Sequence, residues 1–478
     1  MPDTHAPRPQ AAAREGRRGS VRPVPARLAP TRPTLALVTL CAAVLIAQLD
    51  TSVVNLAVDP IGRSFRADLA TLQWVIDAYN LAYAVLLLTG GLLADLCGRR
   101  WVFMAGCAIF TFASLLCALA PGIALLIAAR ALAGLGAALM LPASLALIRV
   151  VWPDPAARGR ALGIWAACNG LAFVIGPPLG GALIGWSGWR GIFLVVVPFG
   201  LAALALAART LPDSADPADR HFDAAGQALG MAALGGLVVA AIEARRAAPA
   251  ALGALAIAGA ALVFFLVVEA RRGAAALVPL RMFRIGAFRG AVVAAAAMTF
   301  GMYGVLFLLP LTWQSTGRLD ALDAGLALVP MALVFALVSP FSGSLTQRIG
   351  ARAMTSGGVA VIGGGLLILG LTAFWQSVPA AEIGLILTGL GMGIATGPLL
   401  GIAVAAVPAA RSGTAAALVN LARMVGATLG VAILGSVFAA AQGGTAGLRL
   451  AMLLGGLVQL AGAAVAWREA RPAERVVR

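Results

Sequence analysis

Fourteen stretches of about 20 mostly apolar residues recur along this chain, the length a helix needs to cross a bilayer. They lie near 34–58, 71–95, 101–119, 123–149, 159–185, 191–208, 225–242, 251–269, 287–309, 322–343, 354–373, 381–405, 413–438 and 447–467. A soluble domain is charged at about a quarter of its positions. Here 11% of residues are charged and 61% are hydrophobic, and what remains between the stretches is too short for a sizeable soluble domain. The sequence therefore predicts an all-α, polytopic membrane protein with the lipid bilayer as its main partner.

The net charge is +16, with no lysine. A basic balance of this size also occurs in nucleic-acid-binding proteins. Here, however, the arginines sit in tails and short loops, where they orient spans, so no nucleic acid is expected. Arg99 and Arg100, Arg158 and Arg160, Arg271 and Arg272, Arg348 and Arg352, and Arg411 fall in alternate loops. The positive-inside rule puts those loops and both termini in the cytoplasm, with an even number of spans. Arg63, Arg66, Arg245 and Arg246 run against the pattern. Residues 1–33 read as a disordered basic tail and 468–478 as a second basic tail. The first apolar run is too long, and its tail too extended, for a secretory signal. Of the cysteines Cys41, Cys97, Cys107, Cys117 and Cys168, four fall inside spans as small buried thiols, and no metal spacing or cofactor motif accompanies them.

A repeat divides the chain. Between spans two and three it reads Gly91-Leu-Leu-Ala-Asp-Leu-Cys-Gly-Arg-Arg100. Between spans ten and eleven it reads Gly343-Ser-Leu-Thr-Gln-Arg-Ile-Gly-Ala-Arg352. Both copies fit G-x-L-x-x-x-x-G-x-R, and Asp95 becomes Gln347. The offset is eight spans, not six. Two six-span halves with an inserted pair between them account for it: 34–209, then 210–286, then 287–467. Leu211–Asp223 reads as a solvated linker before the pair. Pro279–Arg284 reads as an amphipathic interfacial segment after it.

With these motifs the chain resembles the major facilitator superfamily, and within it the fourteen-span drug:proton antiporters of the EmrB/QacA type. The resemblance covers nearly everything after residue 33. Gln48-Leu-Asp-Thr-Ser-Val-Val-Asn55 with Pro60 is similar to the family's first-span motif, and Leu72-Gln-Trp-Val-Ile-Asp-Ala-Tyr79 to its second-span opening. Gly91–Arg100 matches its hinge. Arg130-Ala-Leu-Ala-Gly-Leu-Gly136 resembles its fourth-span motif, with Ala133 where glutamine is common. Gly170 and Gly176-Pro-Pro-Leu-Gly-Gly181 match its antiporter motif. Asn420-Leu-Ala-Arg423-Met-Val-Gly426 is similar to a late signature. The resemblance implies two six-helix bundles plus two inserted helices. It also implies proton-coupled efflux of small amphipathic molecules, cationic drugs among them, by a monomer in a bacterial inner membrane.

Ionisable groups inside the bilayer are costly. Asp50 lies about 24 Å from the cytoplasmic end of its span, and Arg130 about 12 Å below the external end of its own. Asp77 lies slightly nearer the outside. The three share one layer, where a carboxylate beside a fixed guanidinium can exchange its proton for a substrate or for a change of state; the bland alternative is a static ion pair fixing helix packing. Gly91, Asp95, Gly98, Arg99, Arg100, Gly343, Arg348, Gly350 and Arg352 form the expected hinges and latch. Asp95 is placed to accept from a helix N-terminus or to pair with an arginine, and the uncharged second copy is expected to contribute less. Gly170, Gly176, Pro177, Gly180 and Gly181 suit a helix that closes part of the pathway or one that simply packs closely. Asn55, Tyr79, Phe300, Tyr303, Phe307, Asn420 and Arg423 are candidate pocket residues, though an aromatic stripe is more often core. Trp313 and Gln314 read as an interface anchor.

His5 and His221 are the only histidines, both outside the spans, and no catalytic or metal constellation can be assembled, so an enzyme is not expected. A sensor with a transporter fold is a remaining alternative. Among transporters, broad drug efflux and dedicated export of one metabolite or antibiotic both stand open.

Overall fold

The computed structural model describes residues 33–215, 223–244, 247–273, 276, 278–375, 377–408 and 411–469, with backbone alone at 155 and 169. The expected tails, apart from their span-proximal residues, and the discordant Arg245 and Arg246 lie outside the described residues.

Fourteen helices are long and apolar enough to cross a membrane. In chain order they are α1 Pro33–Phe65, α2 Leu69–Cys97, α3 Arg99–Leu119, α4 Ile123–Val151, α5 Pro155–Ser187, α6 Trp189–Thr210 and α7 Ala224–Glu243. Then follow α8 Ala248–Arg272, α9 Gly286–Ser315, α10 Ala321–Ile349, α11 Ala351–Trp375, α12 Val378–Ala405, α13 Ser412–Ala440 and α14 Gly444–Glu469. Helix is the expected outcome, because hydrocarbon offers backbone groups no other partner. Local chemistry starts several of them. The Asp68, Asp154 and Asp223 side chains accept from backbone N–H groups at the heads of α2, α5 and α7. Pro155 then fills the first turn of α5, where its missing N–H costs nothing. Breaks also follow sequence. α10 is interrupted after Leu328 and again at Ser339–Phe341, in each case at a proline, Pro330 and Pro340. The segment expected at the interface contains a short 3-10 helix, Leu280–Arg284.

The eight-span offset recurs in the packing. α1 packs on α5 and α6 as α9 packs on α13 and α14. α4 packs on α2 and α3 as α12 packs on α10 and α11. The helices thus form two six-helix bundles. The inserted pair packs on itself. It rests on both bundles, with Leu234, Val238 and Ile242 of α7 against Trp74 and Leu81 of α2 and Leu429 and Ala432 of α13.

Polar bonds fasten that pair to the first bundle. Gln227 of α7 bonds the Thr89 hydroxyl and the Val85 carbonyl. At the same end Asp223 meets Arg272 at 2.5 Å, and the buried Glu269 accepts from the Val278 N–H at 2.8 Å.

The bundles meet through α2 with α13, α5 with α10, and α1 with α9. Their closest contacts lie at the end opposite the two repeat hinges. There Gln73 donates to the carbonyls of Val431 and Ala432 at 3.0 and 2.9 Å. Gln314 donates to the Leu56 carbonyl at 3.1 Å, and Arg63 to the Gln314 carbonyl at 3.0 Å. Arg63 also pairs with Asp59 at 2.9 Å, so this cation against the loop pattern has local partners. Gln314, expected as an interface anchor, ties the bundles together instead.

Candidate functional site

Along α5 the contact with the second bundle changes character. A Cβ built on Gly181 would lie 2.5 Å from the Leu322 Cα, one on Gly180 would lie 2.6 Å from Val53 Cγ1, and one on Gly176 would collide with the Ser52 hydroxyl. From the other side Gly325 sits against the Pro177 carbonyl. Only glycine permits helices this close. Toward the hinge end the packing opens. Gly170 has only the Phe335 ring at 4.0 Å, and Gly163, Gly159 and Gly343 have nothing within 4 Å. The bundles thus pack backbone on backbone at one end and more loosely at the other, where Arg149 Nη1 of α4 lies 3.8 Å from a Cβ built on Gly413 of α13. The expected glycine set divides: Gly181 and Pro177 meet α10, Gly176 and Gly180 pack against α1 of their own bundle, and Gly170 lies at the edge of the contact.

Inside the first bundle, one ion pair is fully enclosed. Arg130 Nη1 donates to Asp50 Oδ2 at 2.6 Å, and Arg130 Nε donates to the Val75 carbonyl at 3.1 Å. The guanidinium also lies 4.6 Å from the Tyr79 ring centroid, so both its charge and its flat face are matched. Asp77 is not part of this cluster. It is 0% exposed, and neither carboxylate oxygen has a hydrogen-bond partner among the described residues. It lies one turn from Gln73, which bonds α13, and near Trp74, whose indole N–H is 3.4 Å from Glu243 of α7. Asp77 thus belongs to the face of α2 that meets the insert and α13, whereas Val75 and Tyr79 face Arg130.

The pocket candidates also divide. Asn55 is buried, donates to the Thr51 carbonyl at 2.9 Å and leaves its own carbonyl oxygen without a partner. Phe300 lends its backbone to a contact with Gly430, and Phe307 packs its ring on Gly435, so both serve the α9–α13 junction. Tyr303 and Arg423 stand on α9 and α13, which pack together, and both act electrostatically on Tyr83 of α2. Asn420 lies one turn from Arg423 and is half-buried. Tyr83 and the bundle-tying Gln73 had not been singled out by sequence. Their position one turn after Tyr79 and one turn before Asp77 is the signal that points to them.

The two hinges share a backbone conformation. Gly98 has φ 104° and ψ 124°, and Gly350 has φ 95° and ψ 142°, a region that side chains rarely adopt. Arg100 then donates to the Ala208 carbonyl of α6 at 2.5 Å, and Arg352 to the Trp467 carbonyl of α14 at 2.6 Å. Each arginine thus ties its hinge to the last helix of its own bundle. Asp95, 8% exposed, accepts from Arg99 Nη2 at 2.8 Å, whereas Gln347 and Arg348 are exposed. A Cβ built on Gly91 would lie 3.6 Å from Pro142, a neighbour that the open Gly343 lacks.

Comparison with known proteins agrees with this architecture. The chain is 36% identical over 362 residues to the multidrug resistance protein Stp of Mycobacterium tuberculosis, covering 75% of this chain and 67% of the relative. It is 34% identical to the probable actinorhodin transporter of Streptomyces coelicolor (75% and 64% covered). It is 33% identical to the multidrug efflux pump LfrA of Mycolicibacterium smegmatis (77% and 73% covered). A bacterial homologue of the human lysosomal transporter Spinster, solved in an inward-facing and unoccupied conformation, superposes with a TM-score of 0.68 at 17% identity, over 92% of this chain and 97% of its own. The sequence profile of the Major Facilitator Superfamily matches residues 40–431, and this multi-pass membrane protein belongs to that family.

Proposed function

We propose that the chain is an efflux transporter that exports drug- or antibiotic-like molecules by alternating access, driven by protons entering in exchange. The observation that carries this reading is the contrast along α5 and α10: glycine against backbone at one end, open space at the other. Two bundles joined in this way expose the space between them to one side and reach the other side by rocking. With the hinges cytoplasmic, as the arginine pattern predicts, this is the inward-facing state, and both termini lie in the cytoplasm of a bacterial inner membrane. One chain holds both bundles, so the working unit is a monomer. The relatives' roles in multidrug resistance and antibiotic export support the substrate class.

For the proton, two sites divide the work. Removing an isolated ionised carboxylate from water costs several kcal/mol, and Asp77 has no described partner to offset that cost. Asp77 is therefore the acid suited to carrying a proton as a neutral group and releasing it when the α2–α13 contact opens. Asp50 and Arg130 offset one another and hold α1, α2 and α4 in register.

The test is uptake of an aromatic dye into liposomes holding the purified protein. An acidic lumen drives uptake against the dye gradient, and a protonophore abolishes it. Asp77→Asn is expected to uncouple uptake from the pH gradient while leaving dye binding intact. Uptake indifferent to the gradient in the unmodified protein would refute proton coupling.

A further inference from the structure

Two buried acids face each other at the base of the inserted pair. Asp223 heads α7 and is 3% exposed, and Glu269 stands near the end of α8 at 1%. Each commits one carboxylate oxygen to the fold. Asp223 Oδ1 accepts from the Gly226 N–H at 2.6 Å and pairs with Arg272 at 2.5 Å. Glu269 Oε2 accepts from the Val278 N–H at 2.8 Å. The other two oxygens, Asp223 Oδ2 and Glu269 Oε1, are enclosed and have no hydrogen-bond partner among the described residues. Both point at one spot, the bare α-carbon of Gly226. A Cβ built there would lie 2.7 Å from Asp223 Oδ2 and would collide with Glu269 Oε1. Across that spot the two carboxyl groups stand within hydrogen-bonding reach of each other.

The charges around them do not balance. Arg272 is the one cation paired with either acid among the described residues. Arg271 beside it, and Arg281 and Arg284 of the 3-10 helix packed on α8, are exposed. On α2, Asp95 is held by Arg99, and on α13 Arg411 is exposed at the helix head. Asp77 and Arg423 lie further along those two helices, and Glu243 stands at the opposite end of α7. Arg220 and His221 lie outside the described residues. Two ionised carboxylates with one guanidinium would leave a buried negative charge unpaired and set two acceptors against each other. A single proton turns that clash into a short, charge-assisted O–H···O bond.

We propose that Asp223 and Glu269 together bind one proton, shared between Oδ2 and Oε1, and that this proton fastens the end of α8 to the head of α7. The proton belongs to the pair and to neither acid alone. The site is separate from Asp77 and does not depend on the transport reading. Arg272, 39% exposed, links it to water on the hinge side, where Gln227 also fastens α7 to Thr89 and Val85 of α2. As that side becomes alkaline the proton leaves, the acids repel, and the base of the insert loosens. The fastening is therefore present in acid and lost as pH rises.

Hydrogen exchange of the purified full chain, corrected for the intrinsic pH dependence of exchange, tests this at about pH 6 and about pH 9. Protection across 224–272 is expected to fall by about 10-fold or more at the higher pH, relative to α3 and α4 of the same molecules. Infrared difference spectra over the same range should show the loss of one protonated-carboxyl band. Glu269→Gln, which keeps a hydrogen bond to Asp223 without titrating, should hold its protection at both pH values and lack the band. Asp77→Asn should retain the band, which separates this site from the transport reading, and His221→Gln should change neither signal. Equal protection at both pH values in the unmodified protein, a response that persists in Glu269→Gln, or one that His221→Gln abolishes would overturn the inference. A response to sodium ions at constant pH would overturn it as well, by making the bound cation a metal. The unmodified protein carries its own reference in α3 and α4, so a poorly folding variant does not blunt the test.

Discussion

Arg130 and Asp50 meet at 2.6 Å with 2% of each side chain exposed. Removing one member of such a pair leaves the other buried and uncompensated, at a cost of about 3–5 kcal/mol. Arg130→Met and Asp50→Leu should each lower the unfolding temperature of the purified protein sharply. The double variant should recover most of that loss, because no charge is then stranded. Transport should remain impaired in all three if the charges also serve the cycle. A double variant with full transport would reduce the pair to packing.

Gly181 and Gly325 should control which end of the pathway is closed. A side chain at either position pushes against the backbone of the facing helix, and overpacking of this kind costs about 1–3 kcal/mol. Gly181→Val and Gly325→Val should therefore shift the population away from the present state by roughly 5- to 150-fold. Spin-label distances between α5 and α10 at that end would lengthen. Gly163→Val, where a Cβ meets open space, serves as the control and should leave the distances unchanged.

At the hinges, Gly98→Ala should cost more than Gly350→Ala. Both positions hold a positive φ that strains an alanine by about 1–3 kcal/mol. Gly98 has in addition Asp213 Oδ1 only 3.1 Å from where a Cβ would stand, whereas Gly350 has nothing within 4 Å. Thermal unfolding of the two single variants measures the difference, and equal shifts would contradict it.

The inserted pair should loosen independently of the rest. Asp223→Ala removes the cap of α7, worth about 1 kcal/mol, together with the partner of Arg272. Gln227→Leu removes the bonds to Thr89 and the Val85 carbonyl. Hydrogen exchange should accelerate across 224–272 in both variants and stay unchanged in α3, α4, α11 and α12. Faster exchange throughout would mean that the insert stabilises the whole molecule.

How much of this was legible beforehand depended on whether one coordinate sufficed. Span length and apolarity need only local sequence, so the fourteen helices were readable. The hinge glycines were readable because the same backbone demand recurs at Gly98 and Gly350. The meeting of Asp50 with Arg130 came from depth alone, since the rise per residue placed both in one layer. Asp77 shows where depth stops helping. It lies in nearly the same layer but points toward α7 and α13, and that azimuth is set by neighbours that depth arithmetic does not specify. Gln73 and Gln314 were opaque for a related reason: their partners are backbone carbonyls of α13 and α1, and carbonyls leave no mark in sequence. Tyr83 carries no charge, and nothing in its local sequence marks it.

The joint of Gly181 on Ala321 and of Gly325 on Pro177 sets main chain directly against main chain. At that joint no side chains thread or unthread, while Gln73, Gln314 and Arg63 fasten the same end beside it. At the glycines almost no rotamer freedom is frozen on closing, so the side-chain ordering is confined to those few polar bonds. The joint's swing is then the rocking of two stiff bodies past a smooth stop. The pump can turn over without repacking its own interior, and the pace of the cycle is left to its charges and its cargo.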